Sequence, residues 1–349
     1  MFTSETEPNL TLKPVPGPMR AKFTPLIVAS LLVGSFAACK KSEPAAASNS
    51  ASKEGLKLKV KWPLGARYVY RMDLDQHSTN KFPQMPQGMQ QDVTIAMTYA
   101  LSVAKETAGG GHDLEMEFLA NEMEVKMGPQ VVMSFDSKED AKNDAQNPMA
   151  TPFRKMVGSK LHLQVDADGK VEQFIGLQEW IDNIGGDAGP GKMMVAQMFN
   201  EGSMRQMADF GRGFPAKPVQ PGETWPFKIE IPLGSMGKIA IDSKITFTGW
   251  EEREQHKCVL LKSTGSLKGS PGAGPDGGPI RKMTIDHGKI SGQSWFDPEA
   301  GAVIETIADQ AMLVKGEMTG QPGNKGPAGF TSEIGQKVSL KLVEIGKVK

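Results

Sequence analysis

Between Leu56 and Trp62 apolar and basic residues alternate one for one, with Leu56, Leu58, Val60 and Trp62 set against Lys57, Lys59 and Lys61. In an extended chain successive side chains point to opposite faces, so this spacing puts the apolar set on one side and the lysines in water. The same period returns at Leu114, Met116, Phe118; at Met123, Val125, Met127; at Ile239, Ile241; at Ile245, Phe247; and at Val338, Leu340, Leu342. Strands buried on both faces need continuous runs of Val, Ile and Leu, which are scarce here. The pattern predicts a mainly β (α+β) fold of antiparallel twisted sheets, half-barrel or sandwich-like, and disfavours a doubly wound α/β enzyme fold.

Helical period is confined to the middle of the chain. Met149, Phe153, Met156 and Val157 share one helix face and stop at Gly158; Leu177, Trp180 and Ile181 form a second patch; Met194, Val195, Met198 and Phe199 form a third, resuming at Met207 and Phe210. On either side of this stretch the chain resembles itself. Aligned on Gly65 and Gly222, the segments Tyr68-Val-Tyr70-Arg-Met-Asp-Leu74 and Trp225-Pro-Phe227-Lys-Ile-Glu-Ile231 match in type at six positions. Each then runs through strands to an acidic turn, at Asp166 to Gly169 and at Asp297 to Gly301, though at different separations. The expected organisation is a first β-rich half over 56–212 with a helical C-terminal part, and a related second half over 213–349. The alternative is two similar hairpin entries that arose separately.

The N-terminus carries an export signal. Residues 23–38 contain no charge, follow Arg20 and Lys22, and end at Cys39. Sixteen residues with Pro25, Ser30 and Ser35 among them fall short of the roughly 20 that span a bilayer, and match the basic, apolar and small-residue regions of a signal peptide. Residues 1–38 are read as that signal, with Met19 as the natural start. Phe36-Ala37-Ala38-Cys39 resembles the lipobox of bacterial lipoproteins, in which the cysteine is diacylated, with Phe36 in place of the usual Leu. Cleavage at Ser35-Phe36-Ala37, releasing a soluble protein, is the rival. Residues 39–55 have the small, polar composition of a flexible tether, reaching a few tens of ångströms at about 5–6 Å × √n. Lys40 resembles the non-retained pattern of Gram-negative lipoproteins, which implies the outer membrane, facing the periplasm.

Equal numbers of basic and acidic residues, 40 each, give no electrostatic footprint for nucleic acid. Besides Cys39 the one cysteine is Cys258, in an apolar run, so no internal disulfide is expected and a buried thiol is. The five histidines lie apart at 77, 112, 162, 256 and 287, without metal-site spacing. Asp166-Ala-Asp168-Gly169 places its glycine fourth, not sixth, and reads as a hairpin turn instead of a calcium loop. Gly-x-Ser-x-Gly is absent and the Gly-rich run 272–278 is broken by Pro275, so neither a nucleophile elbow nor a phosphate cradle is expected. No metal, cofactor or enzymatic activity is expected on these grounds.

A strand followed by Gly-x-x-Tyr, Met-rich alternating strands, Phe135-Asp136-Ser137, Gly158-Ser-Lys, the acidic hairpins, and Phe214-Pro-x-Lys-Pro-Val219-x-x-Gly222-x-x-Trp225 together resemble an uncharacterised family of predicted bacterial envelope lipoproteins, a domain of unknown function. The similarity covers most of 56–345. It implies an envelope address and a β-rich fold, and assigns no activity.

Methionine is abundant, at 21 residues. It suits irregular cores and equally surfaces that bind varied apolar ligands. Trp180, Met193, Met194, Met198 and Phe199 gather more apolar surface than a short helix packed on one sheet needs, and form the candidate groove for a lipid or other apolar ligand. The competing reading is a structural or partner-binding envelope protein contacting through loops 137–148 and 268–281; a hydrolase without recognisable motif comes third.

Overall fold

The computed structural model describes residues 55–348 apart from 84, 148–149, 187–191, 193–194, 197, 233–236, 272–279 and 319–327. Twelve strands make up most of it: β1 Ala66–Phe82, β2 Met85–Glu106, β3 His112–Met127, β4 Gln130–Asp136, β5 Lys160–Val165, β6 Val171–Ile175, β7 Thr224–Pro232, β8 Gly237–Arg253, β9 His256–Pro271, β10 Ile280–Asp297, β11 Ala302–Met318 and β12 Ala328–Lys347. Their hydrogen-bonded order is β10-β11-β12-β1-β2-β3-β5-β6, with β4 sharing the edge of β3 beside β5. A second ladder, β7-β8-β9, continues it, because β9 runs alongside β10 and the Thr284 hydroxyl donates to the Gly269 carbonyl at 3.0 Å. All strands are antiparallel, in one open sheet.

The predicted alternation is the physical basis of this sheet. Leu114, Met116 and Phe118 on β3, Ile239, Ile241, Ile245 and Phe247 on β8, and Val338, Leu340 and Leu342 on β12 are buried, with polar residues between them. Leu56 to Trp62 also alternates in burial, but is no sheet strand: its one backbone bridge joins Leu56 to Val219. Its other backbone partner belongs to a different element, Lys61 N donating to Gly301 O at 2.9 Å, so no continuous ladder can form. The segment is an extended strap.

The short helices α1 Ala150–Met156, α2 Leu177–Gly185 and α3 Glu201–Ala208 lie within the predicted middle, after a 3₁₀ turn at Ala141–Gln146. Their apolar residues join the main core: Phe153 and Met156, Trp180, Ile181 and Ile184, Met204 and Met207. The core also takes Tyr70, Tyr99 and Phe118 from the first half and Phe247, Leu261 and Phe296 from the second, so one core serves both. A smaller cluster joins Ile231 and Ile239 to Met312, Val314 and Ile334, which folds the β7–β9 end of the sheet over the inner face of β11 and β12.

The two aligned glycines do the same work. Gly65 (φ 76°) and Gly222 (φ 92°) take the left-handed conformation that side-chain-bearing residues avoid. Each N–H reaches a carbonyl of the next strand of its own hairpin, Gly65 to Val103 and Gly222 to Phe247. The acidic turns also correspond: Asp166 Oδ1 accepts from the N–H of Asp168 and Lys170, and Asp297 Oδ1 from those of Glu299 and Ala300.

Candidate functional site

The segment between α3 and β7 crosses the open side of the sheet and is pinned at both ends. Phe214 meets Phe296 edge-on at 4.7 Å between ring centres, and Trp225 Nε1 donates to Gly213 O at 2.8 Å. Beyond them, Val219 and Leu56 exchange backbone hydrogen bonds. Between this segment, β7 to β9 and β10 to β12 lies a cavity of about 90 Å³.

Its walls are apolar, with Phe214, Phe227, Ile229, Ile241 and Leu261 facing Val303 and Leu340. On the sheet side Thr306 Oγ1 donates to Ser294 Oγ at 2.9 Å, a buried hydroxyl pair against the apolar lining. Arg205, Asp209 and Arg212 line the opposite side. Arg205 is held by carbonyls of Val171 and Glu172 and by Glu201. Burial pushes the Asp209 carboxyl above its ordinary pKa, although the Val171 N–H donates to it. Burial lowers the Arg212 guanidinium, with Asp209 opposing the shift, and Arg212 makes no ion pair among the described residues. An apolar chamber with two hydroxyls and a cationic flank can hold an apolar group and orient a polar one.

The structure brings Trp180, Met198 and Phe199 together. All three are buried, the Trp180 ring stacking on Phe118 at 5.1 Å and meeting Phe199 at 5.5 Å, with Trp180 Nε1 donating to Ser159 Oγ at 3.0 Å. They belong to the core beneath α2 and do not line the cavity. Met193 and Met194 lie outside the described residues, as do Cys39, the signal segment and the tether up to residue 54. Of the loops proposed for contact, 268–271 belong to β9 and 272–279 lie outside the described residues. Arg205, Asp209 and Arg212 were not singled out from sequence. The signal present was charge at the end of α3 and on the segment that follows it, which reads equally well as a solvated surface.

Cys258, His256 and Asp297 converge, His256 Nδ1 lying 2.7 Å from Asp297 Oδ2. The Cys258 thiol donates to the His256 carbonyl at 3.5 Å, not to the imidazole. Burial, reinforced by the Asp297 charge, pushes the thiol up to about 12, the reverse of what a nucleophile requires. Asp297 closes the β10–β11 turn. Among the described residues no three His, Cys, Asp or Glu side chains gather as a metal would require, and no helix is long and apolar enough to cross a membrane.

No curated protein matches the sequence. Among solved structures, a lipovitellin chain described for its lipid–protein interactions aligns at 9% identity and a TM-score of 0.43, over 83% of this chain and 26% of its own. A protein of Parabacteroides distasonis, predicted to be a lipoprotein, aligns at 12% identity and a TM-score of 0.25, over 83% of this chain and all of its own. This chain thus spans about a quarter of the lipovitellin chain, and scores of this size assign neither fold nor function. A sequence-family model matches residues 109–301, from the turn before β3 to the turn before β11. With more than half of its length matched, the chain belongs to the family of unknown function DUF6263.

Proposed function

We propose that the protein is an envelope lipoprotein, anchored through Cys39 and facing the periplasm from the outer membrane, that binds an apolar or amphipathic ligand inside its sheet. The observation that carries this reading is the cavity between the linker segment and the inner face of β10 to β12, apolar in its walls and flanked by Arg205 and by Arg212, which makes no ion pair among the described residues. Its size sets a limit. About 90 Å³ is less than the ~150 Å³ of a cavity that takes benzene. The cavity therefore receives the end of an apolar chain, and a longer acyl chain enters only as the linker segment moves off the sheet.

Native mass spectrometry of the chain from Lys40 onward, purified without detergent, tests the ligand. A co-purifying lipid mass that Ile229→Phe removes, by filling the cavity, is the expected result. A clean protein mass together with no saturable uptake of a fluorescent fatty acid would sink the reading. Labelling cells with a clickable palmitate analogue tests the anchor, since Cys39→Ala abolishes the label if the lipobox reading holds.

A second reading, surface binding of a partner, is favoured by one observation. The exposed side chains of Leu64, Val343, Ile345 and Val348 gather where β12 ends beside the first turn, Val348 N donating to Gly65 O at 2.8 Å.

A further inference from the structure

Along the inner face of β1 the buried series Tyr68, Tyr70, Met72, Leu74 continues without a break in period as Gln76, Ser78 and Asn80. The change from apolar to polar is matched on the neighbouring strands. Gln76 stands opposite Gln336 of β12, and Gln336 opposite Gln310 of β11. Ser78 stands opposite Gln91 of β2, and Asn80 opposite Ser332 of β12. Four adjacent strands thus carry one patch of amides and hydroxyls, all buried.

Most of these groups are unsatisfied. Among the described residues neither polar atom of the Gln91, Gln310 or Gln336 side chain has a hydrogen-bond partner, nor has Asn80 Oδ1 or Ser332 Oγ. Gln91 is 1% exposed, Gln310 3% and Gln336 4%, so bulk solvent does not reach them. A buried polar group without a partner costs about 1–3 kcal/mol, and an apolar side chain of the same shape would remove that cost. Single exceptions occur in any protein, but a patch of them across four paired strands breaks the rule that buried polar groups are bonded. Positions that break folding rules together are where function overrides stability.

The chemistry of the patch narrows what it can hold. Primary amides and hydroxyls offer donors and acceptors side by side, spaced about 5 Å across the strands and ~7 Å along them. None of these side chains is ionised, so the patch offers no counter-charge to a phosphate, a carboxylate or a cation. Two positions beyond Asn80 and Ser332 on the same faces, Phe82 and Phe330 lie with ring centres 6.1 Å apart. Groups that both give and accept hydrogen bonds, bordered by aromatic rings, match a neutral polyhydroxyl group, whose hydroxyls do the same and whose C–H faces pack on rings.

We propose that the inner-face patch of Gln91, Gln310, Gln336, Asn80 and Ser332 is a binding site for a neutral saccharide unit, either a free sugar or the sugar headgroup of a glycolipid. Entry requires the apolar layer of Ile231 and Ile239, which packs on the same inner face, to lift. The polar groups of the site lie apart from the cavity, Gln310 being four residues along β11 from Thr306, about 13 Å at the rise of a strand, although Ile231 borders both.

The chain from Lys40 onward is titrated calorimetrically with maltose and, separately, sedimented with phosphatidylcholine vesicles that do or do not contain monogalactosyldiacylglycerol. Saturable binding of maltose supports the site with a free sugar as its ligand; retention on galactolipid vesicles alone supports it with a headgroup. In either arm the near-isosteric Gln310→Met and Gln336→Met each weaken binding about tenfold or more, the loss of ~1.4 kcal/mol, while the thermal midpoint stays level or rises. The proposal is overturned if neither probe binds above the plain-vesicle background. It is equally overturned if both Met variants lose stability with binding unchanged, for then the amides serve the fold through internal water.

Discussion

The backbone N–H of Lys61 donates to the carbonyl of Gly301 at 2.9 Å, and Lys61 fills the space that a β-carbon on Gly301 would occupy, its Cγ only 2.3 Å and its N 2.7 Å away. The Lys61 ammonium reaches the same turn, donating to the carbonyls of Pro298 and Glu299. On the other side of the strap the space beyond Gly169 is taken by Val60. The strap therefore touches both acidic turns, Asp166–Gly169 and Asp297–Gly301.

Gly301→Ala is expected to destabilise the protein by on the order of 3 kcal/mol, since both a left-handed φ of 67° and a backbone clash oppose it. Gly222→Ala faces the same φ penalty, with nothing within 4 Å, and should cost only roughly 1–2 kcal/mol. Urea unfolding of the two variants side by side measures the difference; equal losses would show that the strap does not hold the turn.

Asp209 gives a pH signature. Its carboxyl is raised in the folded state by burial, so the native protein binds a proton that the unfolded chain has released once pH exceeds the ordinary carboxylate value of about 4. Stability contributed at this position therefore falls as pH rises from there through the folded pKa, and is regained on acidification. Asp209→Asn keeps an oxygen for the Val171 N–H and should flatten that part of the profile and be more stable than the parent at pH 7. Thermal melts across pH 4 to 7 decide it, and a variant less stable at pH 7 would contradict the assignment.

Cys258 should be inert while the protein is folded. With the thiol pushed up to about 12 and fully buried, an aromatic disulfide reagent at pH 8 should react at the rate of unfolding and not of the thiol's own chemistry. Stopped-flow absorbance on the chain from Lys40 onward, with and without urea, reads this directly. Rapid labelling without urea would mean that the β9–β10 region opens freely.

Tyr99 donates its hydroxyl to the Met207 carbonyl at 2.6 Å, fastening α3 to β2. Tyr99→Phe removes the donor and strands a buried carbonyl, for an expected loss of about 1–2 kcal/mol. Hydrogen exchange should speed up first in α3; exchange that rises uniformly across the chain would place the fastening elsewhere.

The helix faces around Phe153, Trp180 and Met207, the acidic turns, and the strand entries at Gly65 and Gly222 were all legible in the sequence. Each depends on side-chain period or on one residue's backbone freedom, which are properties of a few neighbouring positions. The amide patch was legible in principle. Gln76, Ser78 and Asn80 continue the inward parity of Tyr68 to Leu74, and polar residues at inward positions are a visible anomaly. The strap was half legible: its alternation set which side chains are buried, but not that its partners would be turn ends instead of a strand.

By itself the sequence determined which face each strand buries, where helices interrupt the sheet and which residues turn the chain. Only the tertiary structure decided which strands are neighbours, since alternation fixes a face and says nothing about the partner. The pairing of β1 with β12, which sets Gln76 against Gln336, joins residues 260 positions apart. Tertiary packing likewise puts Trp180 and Phe199 against Phe118 of β3 in the core and leaves the cavity beside Arg212. The reason is physical: loop closure over such distances costs almost the same for many alternative pairings, so the choice among them rests on the fit of whole inner faces, which exists only once the sheet has formed.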